Sequence, residues 1–170
     1  MNRKLIIITA PNKKEDIDYM KEELFFWLNF FWSDEGGLWQ NTETTVLFNA
    51  SLQNITSSIY QDFVDYMVIL FIGHGNIDMN LNKQILSDFE GKIFPIEHLY
   101  GYTQKQLLII DACRKKEELV NDEFIKHYNE QLQKPLVGKI ILYSTTIGNQ
   151  SLPKIFGSGE PVEVVKGTFE

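Results

Sequence analysis

The chain has 170 residues, of which 44% are apolar and 23% charged, and this composition is that of an ordinary globular protein. Its formal net charge of −7 disfavours nucleic acid or an anionic membrane as a partner, and its single cysteine excludes an internal disulfide and favours a cytoplasmic location. The length predicts one domain over residues 1–170, and no apolar run approaches the roughly 18 residues of a membrane span.

The first part of the chain predicts two strands and two helices. Residues 4–10 (KLIIITA) form a continuous apolar run, typical of a strand that is buried on both faces. Residues 16–31 predict a helix whose apolar stripe is widened by additional Phe side chains, so we expect it to be covered on more than one side. Residues 44–48 predict a second strand, and Ser51 should cap a second helix. One face of that helix would carry Leu52, Ile55, Ile59 and Phe63.

The second part predicts three more strands and one more helix. Residues 66–72 (YMVILFI) predict a third strand, which Gly73-His74-Gly75 should stop, and a polar, irregular stretch follows. Residues 106–112 predict a fourth strand, residues 117–133 a helix, and residues 139–145 (KIILYST) a fifth strand. Continuously apolar strands that alternate with helices indicate an α/β fold with a mostly parallel central sheet and helices on both faces. No helix is predicted after the fifth strand, so we expect the C-terminal part of the fold to be short.

Two of the predicted strands end in reactive side chains. His74 follows the third strand, and Cys113, the one thiol of the chain, follows the fourth. Functional groups gather at the carboxyl ends of parallel strands, so the imidazole and the thiol would face each other if the two strands are neighbours. A Cys-His pair can supply a nucleophile and a base, and the backbone N–H groups of Gly75 and Cys113 could stabilise an oxyanion.

Simpler interpretations of these residues stay open. A lone cysteine after an aliphatic run is often just a small buried apolar residue, and a histidine beside glycine is often a turn residue. A metal site built from Cys113, His74 and Asp78 lacks a second cysteine or a close pair of histidines, so we expect no metal and no other cofactor. His98 and His127 should be solvent-exposed or packing residues.

The blocks ILFIGHG and LLIIDACRKK resemble those of the caspase-like cysteine peptidases, the superfamily of caspases, metacaspases, paracaspases and their bacterial relatives. The block LYSTTIGNQS (142–151) is similar to the strand and substrate loop that open the small subunit of that family. The resemblance covers nearly the whole chain in the right order, and a bacterial member is expected. It implies a caspase-like three-layer sandwich in which residues 1–135 are large-subunit-like and residues 136–170 begin the small-subunit-like part.

The resemblance also implies roles for individual residues. Cys113 would be the nucleophile and His74 its catalytic partner, with the amides of Gly75 and Cys113 as the oxyanion hole. Ser144 and Thr145 would belong to the substrate-binding loop. The reaction would be the cleavage of a protein or peptide substrate without a cofactor.

Asp111 is the position at which the chain departs from caspases that cut after Asp. Those caspases have Gln there and an Arg in the loop after the Tyr-Ser-Thr block, where this chain has QSLP. In metacaspase- and paracaspase-like enzymes an Asp at this position faces the pocket and pairs with a substrate Arg or Lys. A carboxylate favours a cation and repels an acid, so we expect cleavage after a basic residue. The alternative is that Asp111 only caps the turn through backbone amides.

Other functions remain in play. Members of the superfamily usually continue for a further helix and strand, so an activating or completing partner chain is one possibility. A catalytically weak or inactive caspase-like domain that regulates or binds a partner is the alternative to the peptidase. A cysteine hydrolase that acts on a non-peptide amide is a third hypothesis.

Overall fold

The computed structural model describes residues 1–11, 16–78, 83–113 and 138–144, together with the backbone of residues 163–165. The predicted helix at residues 117–133, His127 and Thr145 lie outside these ranges. Two α-helices, α1 (Asp16–Trp32) and α2 (Leu52–Tyr60), and a short 3₁₀ helix (Ile96–Leu99) are described. The described strands are β1 (Arg3–Ala10), β2 (Thr44–Phe48), β3 (Val64–Asp78), β4 (Lys83–Ser87), β5 (Ile93–Pro95), β6 (Thr103–Ala112), β7 (Lys139–Tyr143) and β8 (Glu163–Val165).

The central sheet has the strand order β2-β1-β3-β6-β7-β8. Every pair from β2 to β7 is parallel, and β8 pairs antiparallel with β7. Strands β4 and β5 form a separate antiparallel extension, which begins on the distal half of β3. The prediction of a mostly parallel α/β sheet is therefore confirmed.

The two helices cover opposite faces of this sheet. Neighbouring side chains of each strand point to opposite sides, so the central strands pack against both helical layers. On one face, Leu5 and Ile7 of β1 pack with the buried side of α1. On the other face, Ile6 and Ile8 pack with Ile55 and Ile59 of α2. Because both faces are covered, the central strands are continuously apolar. The sheet and the helices on its two sides form the three layers that the resemblance implies. Within the described ranges, no helix is long and apolar enough to cross a membrane.

The helix α2 is shorter than its apolar pattern suggests. Ser51 caps it as predicted, since its hydroxyl accepts a hydrogen bond from the Asn54 amide at 3.4 Å. Its last residue is Tyr60, so Phe63 lies beyond the helix and its side chain is 68% exposed. Placing Phe63 on the buried face of this helix is therefore wrong.

The outer side of α1 also differs from expectation. Phe25, Phe26 and Phe30 lie at the surface, with exposures of 63%, 42% and 37%. The prediction that this helix is covered on more than one side is wrong for the part of the chain described here. The rings of Phe26 and Phe30 instead pack along the helix against Trp27, which contacts both of them edge to face.

The third strand does not stop at Gly73-His74-Gly75, and that prediction is wrong. β3 runs through these residues to Asp78, because residues 74–78 pair with β4 in the antiparallel extension. The stretch predicted to be irregular contains β4, β5 and the 3₁₀ helix. Its apolar side chains complete the face on which α2 packs, through Leu86, Phe94, Ile96 and Leu99.

A buried carboxylate joins this extension to α2. Asp88 is fully buried and accepts hydrogen bonds from the Leu52 amide at 2.7 Å, the Glu90 amide at 2.9 Å and the Lys92 amide at 2.8 Å. The first of these amides belongs to the first turn of α2, where backbone N–H groups have no partner inside the helix. Asp88 therefore holds the helix start and the β4–β5 turn together.

Candidate active site

The strand register brings His74 and Cys113 to the same level of the sheet. Gly73 of β3 pairs with Ala112 of β6 in the parallel register, and each reactive residue directly follows a member of this pair. Neighbouring strands lie about 4.8 Å apart, so the backbones at the two positions are close. The condition set by the sequence, that the two strands be neighbours, is met. Cys113 is partly buried, and its thiol forms no disulfide.

His74 and Asp111 belong to the same face of the sheet. Ile72 packs in the cluster under α1, so the alternation along β3 assigns His74 to that face. Ile109 of β6 packs against the same cluster, and the alternation along β6 assigns Asp111 to the α1 side as well, while Cys113 directly follows the strand. The candidate site therefore lies at the carboxyl edge of the sheet, under the start of α1.

His74 has a carboxylate partner that the sequence analysis did not identify. Its Nε2 atom lies 2.8 Å from Oδ2 of Asp16, the first residue of α1. The two side chains are 33% and 27% exposed. The sequence marked Asp16 only as the start of a helix. A usable signal was that β1, which precedes this helix, and β3, which carries His74, both contain buried apolar runs and could be neighbours.

Gly75 approaches the backbone of Cys113 closely. A Cβ atom at Gly75 would lie 2.9 Å from the carbonyl oxygen of Cys113, 2.9 Å from Nε2 of Gln84 and 3.0 Å from the Cβ atom of Ala112. Real Cβ atoms are not found at such distances from backbone oxygen, so only glycine fits here. The roles of the Gly75 and Cys113 amides at an oxyanion remain predictions.

Gln84 is a second residue that the sequence analysis missed. Its side chain is 2% exposed, and its Nε2 group donates to the carbonyl oxygens of Ile85 at 3.2 Å and Cys113 at 3.4 Å. The hairpin strand β4 thus contacts the residue that carries the thiol. The position lies in the stretch predicted to be irregular, and a polar residue there gives no sign of burial.

Asp111 and Ser144 meet where β6 and β7 end. The Ser144 hydroxyl donates a hydrogen bond to Oδ1 of Asp111 at 2.6 Å, and the Ser144 amide donates to the Ile110 carbonyl at 3.0 Å. Both side chains are partly buried. The chain therefore brings together four of the residues singled out from sequence, namely His74, Asp111, Cys113 and Ser144.

The remaining candidates lie elsewhere. His98 is exposed, with Nδ1 3.2 Å from the Pro95 carbonyl oxygen and its ring centroid 5.9 Å from that of Phe94, so it packs on the surface as expected. Across the described ranges, no group of three or more His, Cys, Asp or Glu side chains is arranged to hold a metal ion.

Comparison with known proteins supports the fold, through a similarity to a solved structure. No family model and no curated protein matches the chain. Among solved structures, the chain is similar to caspase-1 from Spodoptera frugiperda, with a TM-score of 0.53 and 15% sequence identity. The match covers 88% of this chain and 61% of that one, so the chain spans about three fifths of the length of that caspase structure. At this identity the likeness shows the fold alone, and the chain has a caspase-like α/β fold.

Proposed function

We propose that this chain is a cysteine peptidase in which Cys113 is the nucleophile and His74 its acid–base partner. The observation that carries the proposal is the pairing of Gly73 with Ala112, which sets His74 and Cys113 side by side at the carboxyl edge of a caspase-like sheet. The simpler interpretation of a lone thiol as a buried apolar residue is weakened, because this cysteine is only partly buried and its backbone is level with that of a histidine at the carboxyl edge of the sheet.

The proposed reaction needs only these groups and water. The thiol loses its proton to His74 and the sulfur attacks the peptide carbonyl, while the amides of Gly75 and Cys113 stabilise the oxyanion. The intermediate collapses to a thioester as the leaving amine takes a proton from His74. Water then adds to the thioester, giving its proton to His74, and the carboxylic acid leaves as the thiol regains its proton.

We further propose that the substrate carries Arg or Lys directly before the scissile bond. Asp111 supplies a carboxylate two residues before the nucleophile and on the same face of the sheet as His74. Ser144 would hold that carboxylate in place, and Thr145 would follow it in the substrate loop. A fixed carboxylate rejects an acidic substrate through like-charge repulsion and the cost of desolvation. A completing or activating partner chain, and a bacterial, metacaspase-like relationship, remain predictions from the resemblance.

Peptide reporters test the proposal directly. We expect the purified chain to release a fluorophore from peptides that end in Arg or Lys and not from those that end in Asp, and Cys113→Ala should abolish the release. The matched control is His98→Ala, which removes a surface imidazole outside the site and should leave turnover within about twofold of the wild type.

Two outcomes would overturn the peptidase. One is turnover that persists in Cys113→Ala. The other is a wild-type chain that cleaves no reporter and whose Cys113 reacts with iodoacetamide near pH 7 no faster than a model thiol. The second result would favour the caspase-like binding domain.

A further inference from the structure

The carboxylate of Asp16, which lies outside the predicted Cys-His pair, forms a hydrogen bond with His74. We propose that Asp16 is a positioning residue that fixes the tautomer and orientation of His74, so that Asp16, His74 and Cys113 act as one unit. This inference rests on the proposed peptidase function.

The geometry of the contact favours one tautomer of the imidazole. Oδ2 of Asp16 lies 2.8 Å from Nε2 of His74, a normal length for an N–H donor and a carboxylate acceptor. An ionised carboxylate can only accept, so neutral His74 must carry its proton on Nε2. The lone pair of the ring is then on Nδ1, and this atom is the one that can take the thiol proton.

The fold explains why this carboxylate reaches this histidine. Ala10, the last residue of β1, pairs with Gly73 of β3, so β1 ends level with the residue that precedes His74. The chain returns from β1 into α1, which packs on the face of the sheet that carries His74. The first residue of α1 therefore lies over the part of β3 that carries His74. The position of Asp16 is therefore fixed by β1, β3 and α1, and not by a surface loop alone.

A simpler explanation is that Asp16 serves only the start of α1. Acidic side chains in a first turn interact favourably with the helix dipole, and Asp18 occupies the same turn. Asp18, however, is 91% exposed and its carboxylate pairs with Lys21 at 3.0 Å. Asp18→Ala therefore removes a carboxylate of equal charge near the same helix end without touching His74, which makes it the matched control.

Nuclear magnetic resonance tests the positioning role without any substrate. In protein labelled with ¹⁵N-histidine, long-range ¹H–¹⁵N spectra report which ring nitrogen carries the proton, and His74→Gln assigns the signal among the three histidines. We expect neutral His74 to be the Nε2–H tautomer in the wild type and in Asp18→Ala. Asp16→Ala should shift it towards a mixture. An unchanged tautomer in Asp16→Ala, or an Nδ1–H tautomer in the wild type, would overturn the inference.

Kinetics supply the second readout. Asp16→Ala should lower kcat on the order of 100-fold, while KM changes less than about threefold, because the substrate pocket is intact and proton transfer is not. Asp18→Ala should leave both constants within about twofold. A loss that appears only in KM, or equal losses in the two variants, would contradict a positioning role.

The two proposals fail in different ways. Full activity of Asp16→Ala together with an inactive Cys113→Ala would leave the peptidase standing and remove the role of Asp16. Activity that survives Cys113→Ala would remove the peptidase, and the tautomer experiment would still decide whether Asp16 orients His74.

Discussion

The hydroxyl of Ser144 donates a hydrogen bond to the carboxylate of Asp111 across the ends of β6 and β7, with Oγ and Oδ1 2.6 Å apart. The backbone of Ser144 is held at the same place, since its amide donates to the Ile110 carbonyl. A charged acceptor shortens and strengthens such a bond. The carboxylate that we assign to substrate recognition is therefore fixed by the neighbouring strand, and this arrangement leads to the first two predictions.

Ser144→Ala should weaken recognition of a basic substrate without removing the chemistry. A hydrogen bond to a charged group is worth about 1.5–3 kcal/mol, so kcat/KM for an Arg reporter should fall about 10- to 100-fold, mainly through KM. Steady-state kinetics check this, with Ser57→Ala as the control, because the Ser57 hydroxyl donates to the Gln53 carbonyl within α2. Equal kcat/KM in wild type and Ser144→Ala would count against the pocket role.

Asp111→Asn should remove the preference for a cation while nearly keeping the shape of the side chain. The ratio of kcat/KM for an Arg reporter to that for its neutral citrulline analogue should fall by more than about tenfold, because the charge pair with the substrate is lost. The citrulline reporter is the internal control. If the ratio stays at its wild-type value, Asp111 is a turn cap and the substrate preference has another source.

Gly75→Ala should inactivate the site. The new Cβ atom would meet the Cys113 carbonyl oxygen and Gln84 Nε2 at 2.9 Å, so the backbone that carries the thiol must shift. Overpacking of this kind costs about 1–3 kcal/mol, and displacement of the nucleophile should lower kcat/KM by at least about 100-fold.

Gly91→Ala is the control for Gly75→Ala. Gly91 has a φ of +79° and no atom within 4 Å of the added Cβ, so alanine there strains the backbone in open space. It should lower the melting temperature and leave kcat/KM unchanged. Wild-type activity of Gly75→Ala would show that the approach of Gly75 to Cys113 is not needed.

The sequence predicted the frame of the fold better than its connections. Strands β1, β2 and β6 were located to within three residues. For β1 the signal was strongest, because a parallel strand that is buried on both faces is a continuous apolar run. The strand β4 was missed, because its buried positions alternate and one of them is Gln84, which looks polar in sequence and is nevertheless 2% exposed. Residues 74–78 were left outside the third strand, since only their pairing with β4 keeps them extended.

The site was predicted in the same uneven way. His74 and Cys113 were singled out as candidates because each follows an apolar run, and Asp111 because it lies two positions before the thiol. Asp16 was not linked to His74, because their contact depends on which strands are neighbours, and no local pattern states that. Sequence therefore indicates residues at strand ends, while tertiary neighbours decide which of them pair.

Asp88→Ala should destabilise the fold without a change in local chemistry at the site. Three backbone amides would lose their shared acceptor inside the protein, so we expect the free energy of unfolding to fall by about 3 kcal/mol. Denaturation by urea measures this. Glu90→Ala, an exposed side chain in the same turn, should stay within about 0.5 kcal/mol of the wild type, and a similar value for Asp88→Ala would contradict the role of Asp88.

Stability should also depend on pH through Glu43. Hydrogen bonds from the Arg3 side chain lower the pKa of this carboxyl in the folded chain, with Nε and Nη2 of Arg3 at 2.8 and 2.9 Å from the two oxygens. A pKa lowered on folding contributes stability above the ordinary glutamate value, about 4.3, and that stability is lost as the pH falls through the folded-state value. The melting temperature of the wild type should exceed that of Glu43→Gln at pH 7, and the difference should shrink towards pH 3. A constant difference over this range would contradict the assignment.

The alternation of side chains along β6 has a consequence for how this chain can vary. Leu107 and Ile109 share the face of Asp111, while Leu108 and Ile110 point the opposite way into the other core layer. Deleting one residue from this strand would exchange the two sets, so a carboxylate would enter a dry layer and the thiol would leave its imidazole. The residues that pack the core thus also fix which face of the sheet Asp111 points to. Insertions or deletions within this strand should therefore be tolerated only in pairs of residues.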